Sequence, residues 1–92
     1  MAYIVVRIIR HVSGTHVWEI GRYHNIRHAR GARNAAVEDD AEHWTKHSGP
    51  GGYVGIAPLW PQGMGLTLHA ADGTPEAESV FTILPSPVST RP

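Results

Sequence analysis

Three features of this sequence predict an α+β fold: a single helix packed on a mostly antiparallel sheet of four to five strands, in the order ββαββ with a fifth strand behind. The run Arg27–His47 (RHARGARNAAVEDDAEHWTKH) is the only stretch long enough, and rich enough in Ala, Glu and Arg, to make a sizeable helix. The segments on either side carry β-branched and aromatic residues between Gly, Pro, Asn and Ser turns, which is how strands read. At 92 residues the chain can build only one modest core, burying roughly 60–65% of its unfolded surface. Helix and sheet must therefore share that core.

The first strand is Tyr3–Val12 (YIVVRIIRHV), closed by a Ser13-Gly14-Thr15 turn. Alternation sets Ile4, Val6 and Ile8 on one face and Tyr3, Val5 and Ile9 on the other, with only Arg7 and Arg10 as interruptions. Thr15–Tyr23 pairs back as a hairpin; Trp18 and Ile20 should share a face, and Gly21 marks a bulge or strand end. Asn25 is placed to cap the helix, and Gly31, costly in a helix interior, belongs in its first turn or two. Ala29, Ala32, Ala36, Val37, Ala41 and Trp44 fall on one broad helix side, small enough to lie close on a sheet. Trp18 and Trp44 are expected to fill the core.

His47 to Gly52 ends the helix with glycine and proline. Tyr53–Leu59 is the next strand, and Pro58 places it at a sheet edge. Pro61 to Gly65 turns the chain, Leu66–Ala70 is a short strand, Asp72-Gly73-Thr74-Pro75 turns again, and Ser79–Leu84 is the last strand. Residues 1–84 then form a single domain. Residues 85–92 (PSPVSTRP) are expected to be a flexible tail with little to bury.

Composition narrows the function classes. Apolar residues at 41% and charged residues at 17% describe a globular chain. The absence of cysteine excludes disulfides and thiolate metal sites and fits a cytoplasmic setting. Ala2–Ile9 is broken by Arg7 and is too short for a membrane span or a signal-peptide core, so no membrane role is expected. Eight basic and eight acidic residues balance. A nucleic-acid binder relies on an excess of positive charge, so that class is an alternative rather than the leading reading.

Tyr3, Trp18-Glu19-Ile20-Gly21, the alanine-spaced helix and Tyr53-Val54-Gly55-Ile56-Ala57-Pro58 together resemble a pattern in short hypothetical proteins of actinobacteria and their phages. The likeness spans about two-thirds of the chain. The basic Arg-Ser-Trp-type continuation usual after the proline is replaced here by Leu59-Trp60-Pro61. The resemblance implies a phage or mobile-element accessory protein acting in the host cytoplasm, and no activity or catalytic residue.

Two His-x-x-x-His pairs, His24/His28 and His43/His47, have helical spacing for metal. With Asp39, the second pair could form a zinc column, but the His-Glu-x-x-His arrangement is lacking. Arg22, Arg27, Arg30 and Arg33 gather positive charge early in the helix region, ahead of Glu38-Asp39-Asp40 and Glu42, opposite to what the helix dipole favours. The ordinary reading is an exposed face with local pairs such as Arg30–Asn34 or Arg33–Asp40; the sharper one is a partner-binding patch for an anion or nucleic acid, which would make the chain a nucleic-acid-binding regulator using the Arg22–Arg33 cluster. The Gly49–Gly55 run is glycine-rich but lies between helix and strand, unlike a phosphate loop. Trp60, between Leu59 and Pro61, is expected to be partly exposed and to contact a partner. These features point to a small non-enzymatic interaction protein without catalytic residues or cofactor. It would bind a protein of the host or a second copy of itself. The homodimer is expected because one helix covers one sheet face, leaving Tyr3, Val5 and Ile9 to be closed by a twofold contact unless the C-terminal segment folds over them.

Overall fold

The computed structural model describes residues 2–11, 13–59 and 62–86. The elements are β1 (Ala2–His11), β2 (Gly14–Tyr23), α1 (Ile26–His47), β3 (Tyr53–Leu59), β4 (Gly63–His69) and β5 (Pro75–Ser86). The five strands make one sheet in the order β2-β1-β5-β4-β3, with every neighbouring pair antiparallel. The helix lies on one face of this sheet, so the α+β reading holds.

The helix starts where its cap permits. Asn25 is extended, and its side chain accepts a hydrogen bond from the Arg27 amide at 2.7 Å, satisfying one of the free N–H groups of the first turn. At the other end Ser48 returns to an extended conformation, and Ser48 Oγ donates to the Thr45 carbonyl at 3.0 Å. At 22 residues the helix is about 33 Å long. It carries the chain from β2 at one sheet edge to β3 at the other, which is why it touches all five strands.

Its inner side is the expected one. Ala29 and Val37 are buried. Ala32 packs with Tyr3, Tyr23 and Ile26 around Val5, Ala29 and Ile83. Ala36, Ala41 and Trp44 join Met64 and Val54 around Val37, Leu66 and Phe81. The small alanines bring the helix close to the strands, and the large side chains rise from the sheet.

Several strand details differ from expectation. Pro75–Ser86 is far longer than the Ser79–Leu84 read from sequence, and it takes up Pro85 and Ser86. It is also the central strand, between β1 and β4. Pro75–Ser86 thus does not fold over the sheet but enters it, and residues 87–92 of the expected tail lie outside the described residues. β4 runs Gly63–His69, so Gly63 to Gly65 belong to the strand rather than to the turn before it. The β1–β2 register shifts between Val5 and Val6, with Val5 opposite Gly21 and Val6 opposite Glu19. Ile20 is the extra residue of a bulge beside Gly21. The β4–β5 turn matches: Gly73 has φ 89° and the Thr74 amide donates to Asp72 Oδ1 at 2.9 Å, which holds the Asp72 carboxyl below its usual range.

Trp18 does not fill the core: it is 47% exposed. It stands on the edge strand β2, opposite Arg7, and the Arg7 guanidinium lies 5.4 Å from its ring centre. Ser79 is fully buried, and its Oγ has no hydrogen-bond partner among the described residues. A buried hydroxyl without a partner costs about 1–3 kcal/mol. Ser79→Ala is therefore expected to raise stability by about 1 kcal/mol in chemical denaturation; a loss of stability would mean that the hydroxyl is satisfied.

Candidate interaction face

Direct cross-strand neighbours point to the same side of an antiparallel sheet, so the pairing register maps both faces. Val5, Phe81, Ile83 and Leu66 meet the helix. Ile4, Val6 and Ile8 therefore point to the other side, with Leu84, Thr82 and Val80 as their partners on β5. This corrects the expectation that Tyr3, Val5 and Ile9 would be left uncovered; the helix takes that side. Val17, paired with Ile8, is 64% exposed, Leu84 48% and Leu59 41%. Among the described residues no element lies over this second face.

The face is uneven. One cross-strand row reads Val17, Ile8, Val80, Gly65, Ala57 from β2 to β3. The next reads Thr15, Arg10, Glu78, Thr67, Gly55. In the first of these rows side chains are large on β2 and β1 and small on β4 and β3; Leu59, Tyr53 and His69 on the same face of β3 and β4 rim the small residues. The small residues leave a depression of about 290 Å³ lined by Gly55, Ala57, Gly65, Leu59, His69 and Val80 among others. At its margin His69 stacks on Tyr53, with ring centres 4.7 Å apart. The sequence carried a signal for this depression, small residues at alternate positions of YVGIAPL and GMGLTLH, but the sheet order was needed to join them.

The arginines do not form one free patch. Arg22 is tied to Glu19 at 3.0 Å, which raises its pKa. Arg30 Nε donates to Gln62 Oε1 at 3.3 Å and Arg33 Nη1 to the Gln62 carbonyl at 2.8 Å. Burial, then the neighbouring Arg30, lowers the Arg33 pKa. Arg33 also donates to Asn34 rather than to Asp40; Asp40 pairs instead with Arg7 of β1. Arg27 remains exposed on the first helical turn. Trp60 lies outside the described residues.

Asp39, His43 and His47 are exposed on the helix. The two imidazoles lie tilted at 34° with ring centres 4.3 Å apart, and His47 Nδ1 lies 2.9 Å from the His43 carbonyl, turning one ring nitrogen into the helix backbone. Among the described residues no group of three or more His, Cys, Asp or Glu side chains could hold a metal ion. Among them, too, no helix is long and apolar enough to cross a membrane.

The fold and this face define a small helix-on-sheet protein with one sheet surface open, apolar at its middle and carrying the Glu19–Arg22 and Arg10–Glu78 pairs. No family model matches the chain, and neither a curated protein nor a solved structure does.

Proposed function

We propose that this chain is a non-enzymatic interaction protein whose working unit is a homodimer closed across the open sheet face. The observation that supports this is the uncovered apolar surface of Ile4, Val6, Ile8, Val17, Val80 and Leu84. Five strands about 4.8 Å apart, seven or more residues long at about 3.3 Å each, present roughly 600 Å² in projection. Side-chain relief adds to this, bringing it close to the about 800 Å² that each partner of a standard interface contributes. Pairing two sheets face to face leaves both helices outermost. On the resemblance to phage-encoded proteins, those helices, with Arg27 on the first turn, are the surface offered to a host protein.

Val17 and Leu84 test the reading because both are exposed in the single chain. Placing Asp at both is expected to cost the monomer no more than about 1 kcal/mol each, while putting charge into the contact. Wild type at tens of micromolar should sediment at twice 10.0 kDa, and Val17→Asp/Leu84→Asp at the monomer mass with unchanged circular dichroism. A wild-type monomer, or a double variant that stays dimeric, removes the open face as the contact.

A further inference from the structure

Resting on that homodimer, we infer that its twofold axis runs along β5, so that Val17 and Ile8 of one copy seat in the Ala57–Gly65 depression of the other. Two sheets packed face to face with twofold symmetry have two simple choices: the axis lies between them either along the strands or across them. The central position of β5 makes the outcomes differ sharply.

An axis along β5 exchanges the two sides of the sheet and keeps each cross-strand row level. β2 and β1 of one copy then cross β3 and β4 of the other. In the row Val17, Ile8, Val80, Gly65, Ala57, Val17 faces the partner copy's Ala57, Ile8 faces its Gly65, and Val80 faces its own equivalent. Ridge enters depression. An axis across the strands leaves each strand over its own copy, setting ridge on ridge and two depressions of about 290 Å³ against each other. Protein contacts close at crystal-like packing density, and unfilled space forfeits dispersion on every atom that lines it.

Both axes bring charged groups into the contact. Arg10 and Glu78 sit 3.8 Å apart in one row, at the opposite end of the face from Ile4 and Leu84. An axis across the strands would turn that row towards the Arg22–Ile4–Leu84 row, setting Arg10 on Ile4 and Glu78 on Leu84 and so charge against hydrocarbon. An axis along β5 lays the Arg10–Glu78 row on its own copy: Arg10 faces the partner copy's Thr67 and Glu78 faces its own equivalent, each Glu78 keeping its own Arg10 beside it to offset the like charge.

The chain has no cysteine, so single cysteines report the geometry directly. Facing sheets stand about 10 Å apart, beyond the roughly 7 Å Cα separation that a direct disulfide spans; a short bis-maleimide is the appropriate probe. Val17→Cys and Ala57→Cys, both at exposed positions, are prepared separately, mixed, re-equilibrated and cross-linked. The mixture should give a covalent dimer at least tenfold in excess of either protein alone. Efficient self-linking of Val17→Cys, or no linking in the mixture while sedimentation still shows dimers, overturns the axis but not the dimer. Monomers in sedimentation overturn both. Ala57→Trp supplies a second reading: filling the depression should weaken dimerisation at least tenfold. Unchanged or tighter dimers would mean that the depression faces empty space.

Discussion

Phe81→Ala is expected to lower folding stability by about 4 kcal/mol, within the 3–5 kcal/mol typical of deleting a buried aromatic ring. A domain of this size holds about 5–14 kcal/mol in all, so the variant should sit near the edge of folding. Phe81 is fully buried on the central strand, paired with Arg7 on one side and Met64 on the other. It packs against Val37 of the helix and Leu66, and its ring centre lies 5.9 Å from the Arg7 guanidinium. Hydrogen bonding to strands on both flanks keeps the backbone from sinking into the space left behind, so the cavity term applies in full. Urea denaturation in a Val17→Asp/Leu84→Asp background separates this loss from any contribution of self-association. A deficit below about 1.5 kcal/mol would mean that the ring is not the centre of the core.

The helix and the strand positions were legible because their signals are local. Asn25 caps at the residue expected, Gly31 falls in the second turn of α1, and Tyr53–Leu59 is the strand read from YVGIAPL, with Pro58 on an edge strand. What escaped the sequence depends on which strands become neighbours. Nothing in Pro75–Ser86 marks it for the middle of the sheet. Once there, it turns the presumed cover of the second face into part of that face. Trp18 has the composition of a core residue but stands half-exposed on the edge strand β2. Asp40 looked like a partner for Arg33 on its own helix, and the fold instead brings it to Arg7, which no short-range pattern could show. The interaction face shares this logic: Ile4, Val6 and Ile8 were visible as an apolar stripe, whereas the depression that complements them needed the register of four strand pairs.

The two members of the Arg7–Asp40 pair are expected to respond unequally to removal. Their closest approach is 2.5 Å, with side-chain exposures of 27% and 17%. The contact runs from Arg7 Nη2 to Asp40 Oδ2 and leaves Arg7 Nε buried without a hydrogen-bond partner among the described residues. Burial raises the Asp40 pKa, and this outweighs the lowering by Arg7. A carboxyl whose pKa is raised on folding binds its proton more readily in the folded state. Its contribution to stability is therefore present below the unfolded value of about 3.9 and is withdrawn as pH rises through the folded value. At neutral pH the ionised Asp40 thus opposes folding slightly, and Asp40→Asn should change stability by less than about 1 kcal/mol. Arg7→Met is different. It strips the buried carboxylate of its cation and removes the guanidinium from between the Trp18 and Phe81 rings, at a cost of about 3 kcal/mol at pH 7. Without Arg7 the Asp40 pKa rises further, so this deficit should shrink as the carboxyl is protonated towards pH 4. Arg7→Met/Asp40→Asn should likewise recover most of the loss at pH 7. Urea denaturation of wild type, both single variants and the double at the two pH values measures the cycle. An Arg7→Met deficit equal at pH 4 and pH 7, or a double variant no more stable than Arg7→Met, would show that Arg7 acts through packing and not through Asp40.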